Sequence, residues 1–180
     1  MDFVFSKYLR KLVVCFLFVF LLGTECFATE KASWLFVQTA SSGSFEQIEG
    51  QEGQYTLKLF GISPCMISFT DRPDRNARMV QTAEFTGQWL TDTTEGNYNA
   101  NPPNGALVLS SNSFEDVLVF CLENPSYDEK NQTLSYKVTT IKITNEHKEK
   151  YPQYKIRSEP PKEFKQSVLF IDNSWGGLGG

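Results

Sequence analysis

Apolar and polar residues alternate in short segments over most of the chain beyond residue 30, and turn residues separate these segments. Alternation with a period of two is typical of antiparallel β-structure, because successive side chains on a strand point to opposite faces. About seven short strands over roughly 150 residues predict an antiparallel two-sheet sandwich, with a closed β-barrel as the alternative. The candidate strands are 34–39, 55–60, 65–69, 106–109, 116–122, 134–144 and 167–171, with a further short one at 154–156.

One segment departs from this pattern and predicts a short helix over residues 82–90. Thr82 can cap its start, and Phe85 and Trp89 lie four residues apart on one face. In the strands, alternation places Cys65 on the same face as two large apolar residues, and we expect that face to point to the core. The fold class predicted is therefore all-β with one short helix.

The first 28 residues have the layout of an export signal. Basic residues at 7, 10 and 11 precede an apolar run over 13–22, and small residues lead to Ala28. The run is shorter than the roughly 20 residues that cross a bilayer core. The sequence therefore predicts a cleaved signal peptide over 1–28, a single β-sandwich domain over 29–172 and a flexible Gly-rich tail over 173–180. We expect a secreted or periplasmic protein with no membrane span after cleavage.

Charge and cysteine content change this picture further. The chain has a formal net charge of −4, and removing residues 1–28 takes away three basic and two acidic residues, which leaves −5. Nucleic acids and anionic membranes need a clustered positive surface, so neither is an expected partner. Cys65 and Cys121 remain, and an oxidising compartment would allow a disulfide between them. Two separate buried thiols are the alternative.

The densest cluster of charge follows a candidate strand and contains Asp71, Arg72, Asp74 and Arg75. Arginine presents a planar fork that matches carboxylate and phosphate, so these residues predict contact with an anionic ligand. A structural corner, fixed by Pro73 and capped by the carboxylates, is the alternative.

A second candidate binding surface is the polar loop over residues 92–104 with the aromatic residue that precedes it. Trp89, Tyr98, Asn101 and Asn104 would place aromatic faces beside amide groups, a combination that suits sugars or peptides. The alternative is an ordinary loop in which the asparagines form turns and Trp89 packs in the core.

The sequence argues against most kinds of enzyme. Its one histidine, His147, lies among charged residues, and no Gly-x-Ser-x-Gly elbow is present for a Ser-His-Asp arrangement. A zinc site with two histidines is excluded by count, and we expect neither metal nor cofactor. The function predicted is a non-catalytic binding or structural domain with a protein or carbohydrate ligand. The alternative is a small hydrolase that uses Asp71 and Asp74 as paired carboxylates.

Trp89 and four further segments of the mature chain carry a resemblance to a known group of proteins; the segments are 69–75, 101–108, 123–128 and 167–172. In this order they resemble a group of small exported microbial proteins that shares a Phe-Ser/Thr-Asp-Arg-Pro segment and a Pro-Pro-Asn-Ala-like segment. The resemblance implies an exported β-domain and carries no established activity, so it adds nothing to the chemistry. Here Gly105 precedes Ala106 in the Pro-Pro-Asn segment, which departs from the pattern.

Overall fold

The computed structural model describes residues 34–70, 72, 74–93, 97–110, 116–141, 155–156 and 159–173. The predicted signal peptide over 1–28 and residues 174–180 of the predicted tail lie outside this range. Within it, eleven strands and one short helix confirm the all-β class. The elements are β1 (Trp34–Ala40), β2 (Ser42–Gln47), β3 (Gln54–Phe60), β4 (Cys65–Thr70), β5 (Ala77–Gln81), α1 (Thr82–Thr91), β6 (Asn104–Leu109), β7 (Asp116–Asp128), β8 (Thr133–Thr140), β9 (Lys155–Ile156), β10 (Glu163–Phe164) and β11 (Ser167–Asn173).

Backbone hydrogen bonds join these strands in one large sheet rather than in two. Its order is β10-β2-β3-β8-β7-β6-β11-β1-β4-β5, and β9 pairs with β7 beside this path. All neighbours are antiparallel except β7 and β9. The sheet is open and not closed into a barrel, with β10 and β5 at its two ends.

The sheet curls because β1 and β2 follow each other directly in the chain yet lie far apart in the strand order. Only Ser41 separates them, and five strands stand between them in the sheet. The Ser41 N–H donates to the carbonyl oxygen of Phe60 at 2.9 Å, and Gly61 turns the chain there with a φ of +60°. Strands that bend in this way form the corners where one part of a sheet folds over another. Two parts of the same sheet therefore face each other across the core.

The core fills the inside of the curl and includes one face of α1. Phe85 packs on Phe36 with ring centroids 4.8 Å apart, and Trp89 lies 5.9 Å from Tyr136. The predicted apolar face of the helix is thus confirmed. Alternate residues of the strands supply the rest, among them Phe45, Leu57, Leu59, Leu107, Leu118, Phe120, Leu122, Leu134, Val138, Leu169 and Ile171.

The orientation of β4 is the opposite of the one predicted. Met66, Ser68 and Thr70 are buried, and Cys65, Ile67 and Phe69 lie on the outer face. The neighbouring strand gives the reason, because Ser68 is paired with Phe36 and Thr70 with Trp34. Small polar side chains on β4 leave room for the two large inner rings of β1.

Three further details differ from the expectation. Thr82 is the first residue of α1 and not its cap, since Gln81 holds that place without a side-chain cap. The Thr82 hydroxyl instead shares its hydrogen between the carbonyl oxygen of Ser63 and Oε1 of Gln38, at 3.1 and 3.3 Å. A strand, β2, forms over Ser42–Gln47, where none is predicted. Finally, β7 continues beyond residue 122 and through Pro125, with a shift of register between Glu123 and Ser126.

A candidate anion-binding site at the hairpin of β4 and β5

The charged cluster predicted from sequence occupies the turn between β4 and β5. The turn is closed at its base, where the Thr70 N–H donates to the carbonyl oxygen of Asn76 and the Asn76 N–H donates to Oγ1 of Thr70, both at 2.9 Å. Arg72, Asp74 and Arg75 are exposed there. Asp71, the other half of the predicted carboxylate pair, lies outside the described residues, so the hydrolase alternative stays a prediction.

Arg78, the second residue of β5, is not among the residues predicted from the sequence. Its guanidinium carbon lies 4.2 Å from the ring centroid of Trp34, and its Nε–H donates to Oγ of Ser68 at 3.4 Å. Trp34 and Ser68 are both buried, and Arg78 itself is half-buried. An aromatic face and a hydroxyl on two neighbouring strands therefore fix the orientation of this cation.

The two Nη groups of Arg78 have no hydrogen-bond partner among the described residues. The ion pairs within the described part of the chain join Lys58 to Glu46 and Lys137 to Glu123, and neither involves Arg78. Its one hydrogen bond there uses Nε–H. Arginine has five N–H donors in a planar fork, so four remain at the two Nη atoms. This is the geometry that binds a carboxylate or phosphate through two parallel hydrogen bonds.

Arg78 could not be identified from the sequence, because the charge cluster that stands out there lies in the preceding turn. Its position between Ala77 and Met79 is ordinary for an exposed strand residue. What distinguishes Arg78 is its pairing with Ser68 on β4 and the position of Trp34 on β1, the strand beyond β4. Those pairings require the strand order and the register, which composition and spacing do not supply.

The aromatic residues predicted for the second surface lie in the core. Trp89 and Tyr98 are almost fully buried, and their ring centroids are 4.4 Å apart. Burial raises the pKa of the Tyr136 phenol well above its usual value near 10. Burial also raises the pKa of Tyr98, and Tyr136 and Asp172 contribute further. Both phenols therefore stay neutral at physiological pH, and this cluster has a packing role.

The asparagines of that loop hold the backbone in turns. Oδ1 of Asn97 accepts the N–H groups of Asn99 and Ala100 at 2.8 and 3.0 Å, and Nδ2 of Asn99 donates to the carbonyl oxygen of Trp89 at 3.1 Å. Asn101 and Asn104 are exposed. This arrangement is the alternative weighed for the loop, and ligand binding by these residues stays a prediction.

The two cysteines are separate thiols in the structure, and both are half-buried. Three strands, β6, β11 and β1, separate β4 with Cys65 from β7 with Cys121 in the sheet. Sγ of Cys121 lies 3.7 Å from the carbonyl oxygen of Pro102. Burial, with a smaller contribution from the charge of Glu123, raises the pKa of the Cys121 thiol. The predicted disulfide is therefore not formed.

The described ranges contain neither a metal-binding cluster nor a membrane-spanning helix. No three His, Cys, Asp or Glu side chains come together there in a way that could hold a metal ion. No helix in those ranges has the length and apolar character needed to cross a membrane. Comparison with known proteins adds no further guide, since no family model, no curated protein and no solved structure matches the chain.

Proposed function

We propose that the protein is an exported, non-catalytic binding domain and that Arg78 is its contact for an anionic group of the ligand. The observation that carries this proposal is the fixed guanidinium of Arg78, held by Trp34 and Ser68, with no carboxylate bonded to it among the described residues. The proposal extends the predicted anionic contact from the turn to the strand that follows it.

The surroundings of Arg78 favour binding for two physical reasons. Binding by a mobile arginine costs side-chain entropy, because the side chain must be ordered. Arg78 is already ordered by its stacking on Trp34, so ligand binding loses less entropy. Partial burial also lowers the local dielectric constant, which strengthens a charged hydrogen bond.

The test is an NMR titration of the exported, ¹⁵N-labelled protein with N-acetylglutamate amide, with the neutral N-acetylglutamine amide as the matched probe. We expect the acidic probe to shift the amide signals of Ser68 and Met79 in a saturable way, and the neutral probe to leave them in place. The reason is that only the carboxylate can accept both Nη donors.

Two variants locate the effect. Arg78→Gln removes the fork, and we expect the shifts at Ser68 and Met79 to disappear. Arg75→Gln removes an exposed charge from the turn, and we expect the shifts to persist with a modest loss of affinity. Shifts that survive Arg78→Gln, or that appear equally with the neutral probe, would contradict the proposal.

A further inference from the structure

The outer face of the sheet is polar on one part and apolar on another. On β2, β3 and β8 most outward side chains are polar or charged, and Lys58 and Lys137 form ion pairs there. On the six strands from β7 to β5 in the strand order, the outward side chains are largely apolar and lie half-buried or exposed. They are Leu35 and Val37 on β1, Ile67 and Phe69 on β4, Ala77 and Met79 on β5, Ala106 and Val108 on β6, Val117 and Val119 on β7, and Val168 and Phe170 on β11.

The strand register joins these side chains into one continuous surface, which we call the apolar face. Paired positions follow one another across all six strands, so their side chains stand next to each other on the same side of the sheet. Polar residues stand toward its border, among them Thr39, Gln81, Asn104 and Asp172. The central row is apolar throughout and consists of Met79, Ile67, Val37, Phe170, Ala106 and Val119.

The apolar face is large enough for a stable protein contact. Six strands about 4.8 Å apart and three rows of side chains about 7 Å apart cover roughly 600 Å². Contiguous apolar patches of this size are uncommon on monomeric proteins and mark interaction sites. A stable dimer buries about 800 Å² on each partner, so the apolar face supplies most of that area and its polar border can supply the rest.

The shape of the apolar face is complementary to itself. At its β5 end Met79 and Ile67 protrude, with 73% and 56% of their surface exposed. Toward its β7 end Ala106 and Val119 are smaller and half-buried. A two-fold axis parallel to the strands, between β1 and β11, would place Ile67 of one copy over Ala106 of the other, and Met79 over Val119. Protruding side chains would therefore meet low positions on both sides of the axis.

The distribution of charge also favours a second copy as the occupant. The chain has a net charge of −4, so two copies repel each other over much of their surface. The apolar face has a carboxylate, that of Asp172, at its border and not in its central row. A basic partner would find little there to bind, whereas an uncharged face fits another uncharged face.

We infer that the apolar face packs against the same face of a second copy, so that two sheets lie about 10 Å apart as in a β-sandwich. This inference goes beyond the proposed function. Arg78 alternates with Ala77 and Met79 and lies on the inner side of β5, against Trp34 and Ser68. The dimer would therefore leave the anion contact outside the interface.

The first test is sedimentation velocity of the exported protein from about 0.1 to about 100 μM, the upper end of the affinities found for interfaces near this size. We expect a concentration-dependent dimer. Ile67→Lys places a charge in the central row, and we expect it to weaken the dimer at least about 10-fold, because the charge would be buried without a partner. Leu90→Lys is the matched control, since Leu90 is 55% exposed on α1. It should dimerise like the parent.

The second test uses the two thiols of the described chain, because Cys65 and Cys121 both lie on the outer side of these strands and are half-buried. Pulse labelling with iodoacetamide, with mass spectrometry to locate the label, reports on their accessibility. We expect labelling of both cysteines to slow as the protein concentration rises. In Ile67→Lys it should be fast at every concentration, and in Leu90→Lys it should follow the parent.

Three outcomes would overturn the inference. A monomer whose cysteines react at one fast rate at every concentration would leave the apolar face uncovered. A monomer whose cysteines are protected even at the lowest concentration would show that another part of the chain covers the face. A dimer that persists in Ile67→Lys, or is lost equally in Leu90→Lys, would place the contact on a different surface.

Discussion

The two ends of the sheet are finished in different ways. At one end the chain covers its own edge, because β10 pairs with β2 and the Phe45 N–H donates to the carbonyl oxygen of Lys162 at 2.9 Å. Phe164 packs there against the backbone of Gly43, with its ring centroid 5.5 Å from that of Phe45. At the other end, β5 pairs with β4 alone among the described strands, and Arg78 lies there with no carboxylate bonded to it among the described residues. The covered end contributes stability, and the open end carries the cation for which we propose an anionic ligand.

The largest expected effect is on the core that both ends share, and it follows from pH. Tyr98 and Tyr136 have pKa values raised above the usual 10 in the folded state. A raised pKa contributes stability that is complete below the unfolded value and is lost as pH rises above it, since only the unfolded chain then releases the protons. We expect unfolding free energy to fall steeply above pH 10, as measured by urea titrations between pH 8 and about 12.

Tyr136→Phe is the variant that checks this cause. Its hydroxyl is buried and has no hydrogen-bond partner in the described structure. Removing an unsatisfied hydroxyl is neutral or stabilising at pH 7, and the alkaline loss should become shallower. An alkaline profile as steep in Tyr136→Phe as in the parent would show that this phenol is not responsible.

The next effect is confined to the covered end. In Gly43→Ala the new Cβ would collide with Cζ of Phe164 and lie 2.6 Å from the carbonyl oxygen of Lys58, and that backbone atom cannot move aside. We expect a loss of about 2 to 3 kcal/mol in unfolding free energy, measured by urea denaturation.

Gly87→Ala is the matched control, because nothing lies within 4 Å of its added Cβ and the residue is helical. It should gain about 0.5 to 1 kcal/mol, the usual helix preference of alanine over glycine. Equal effects of the two substitutions would remove the special role given to the Phe164 contact.

A smaller effect is expected at the open end. Arg78→Gln loses the stacking on Trp34, which is worth about 0.5 to 1 kcal/mol at a partly exposed site. Arg75→Gln alters an exposed turn position and should change unfolding free energy by less than about 0.5 kcal/mol. Thermal and urea unfolding of both variants would measure this. A loss above about 2 kcal/mol in Arg78→Gln would make that arginine chiefly structural.

Sequence reasoning predicted the local parts of this fold better than their arrangement. Alternation identified β3, and the four-residue spacing of Phe85 and Trp89 identified the buried face of the helix, because one side of each element is apolar. Alternation alone could not say which side of β4 faces inward, since that depends on the large rings of β1 across the ladder. The role that we propose for Arg78 could not be predicted for the same reason. Arg78 acquires its stacking and hydrogen bond only through neighbouring strands that are distant in the chain.

Hydrogen exchange at the two ends of the sheet tests this comparison most directly. In the protein alone, we expect the amides of Ala77, Met79 and Gln81 to exchange quickly, because the register with β4 leaves their N–H groups on the open side. The amides of Arg78 and Val80, and at the covered end that of Phe45, should exchange slowly. Slow exchange at Ala77 and Met79 would contradict the account, because the edge of β5 would then be covered.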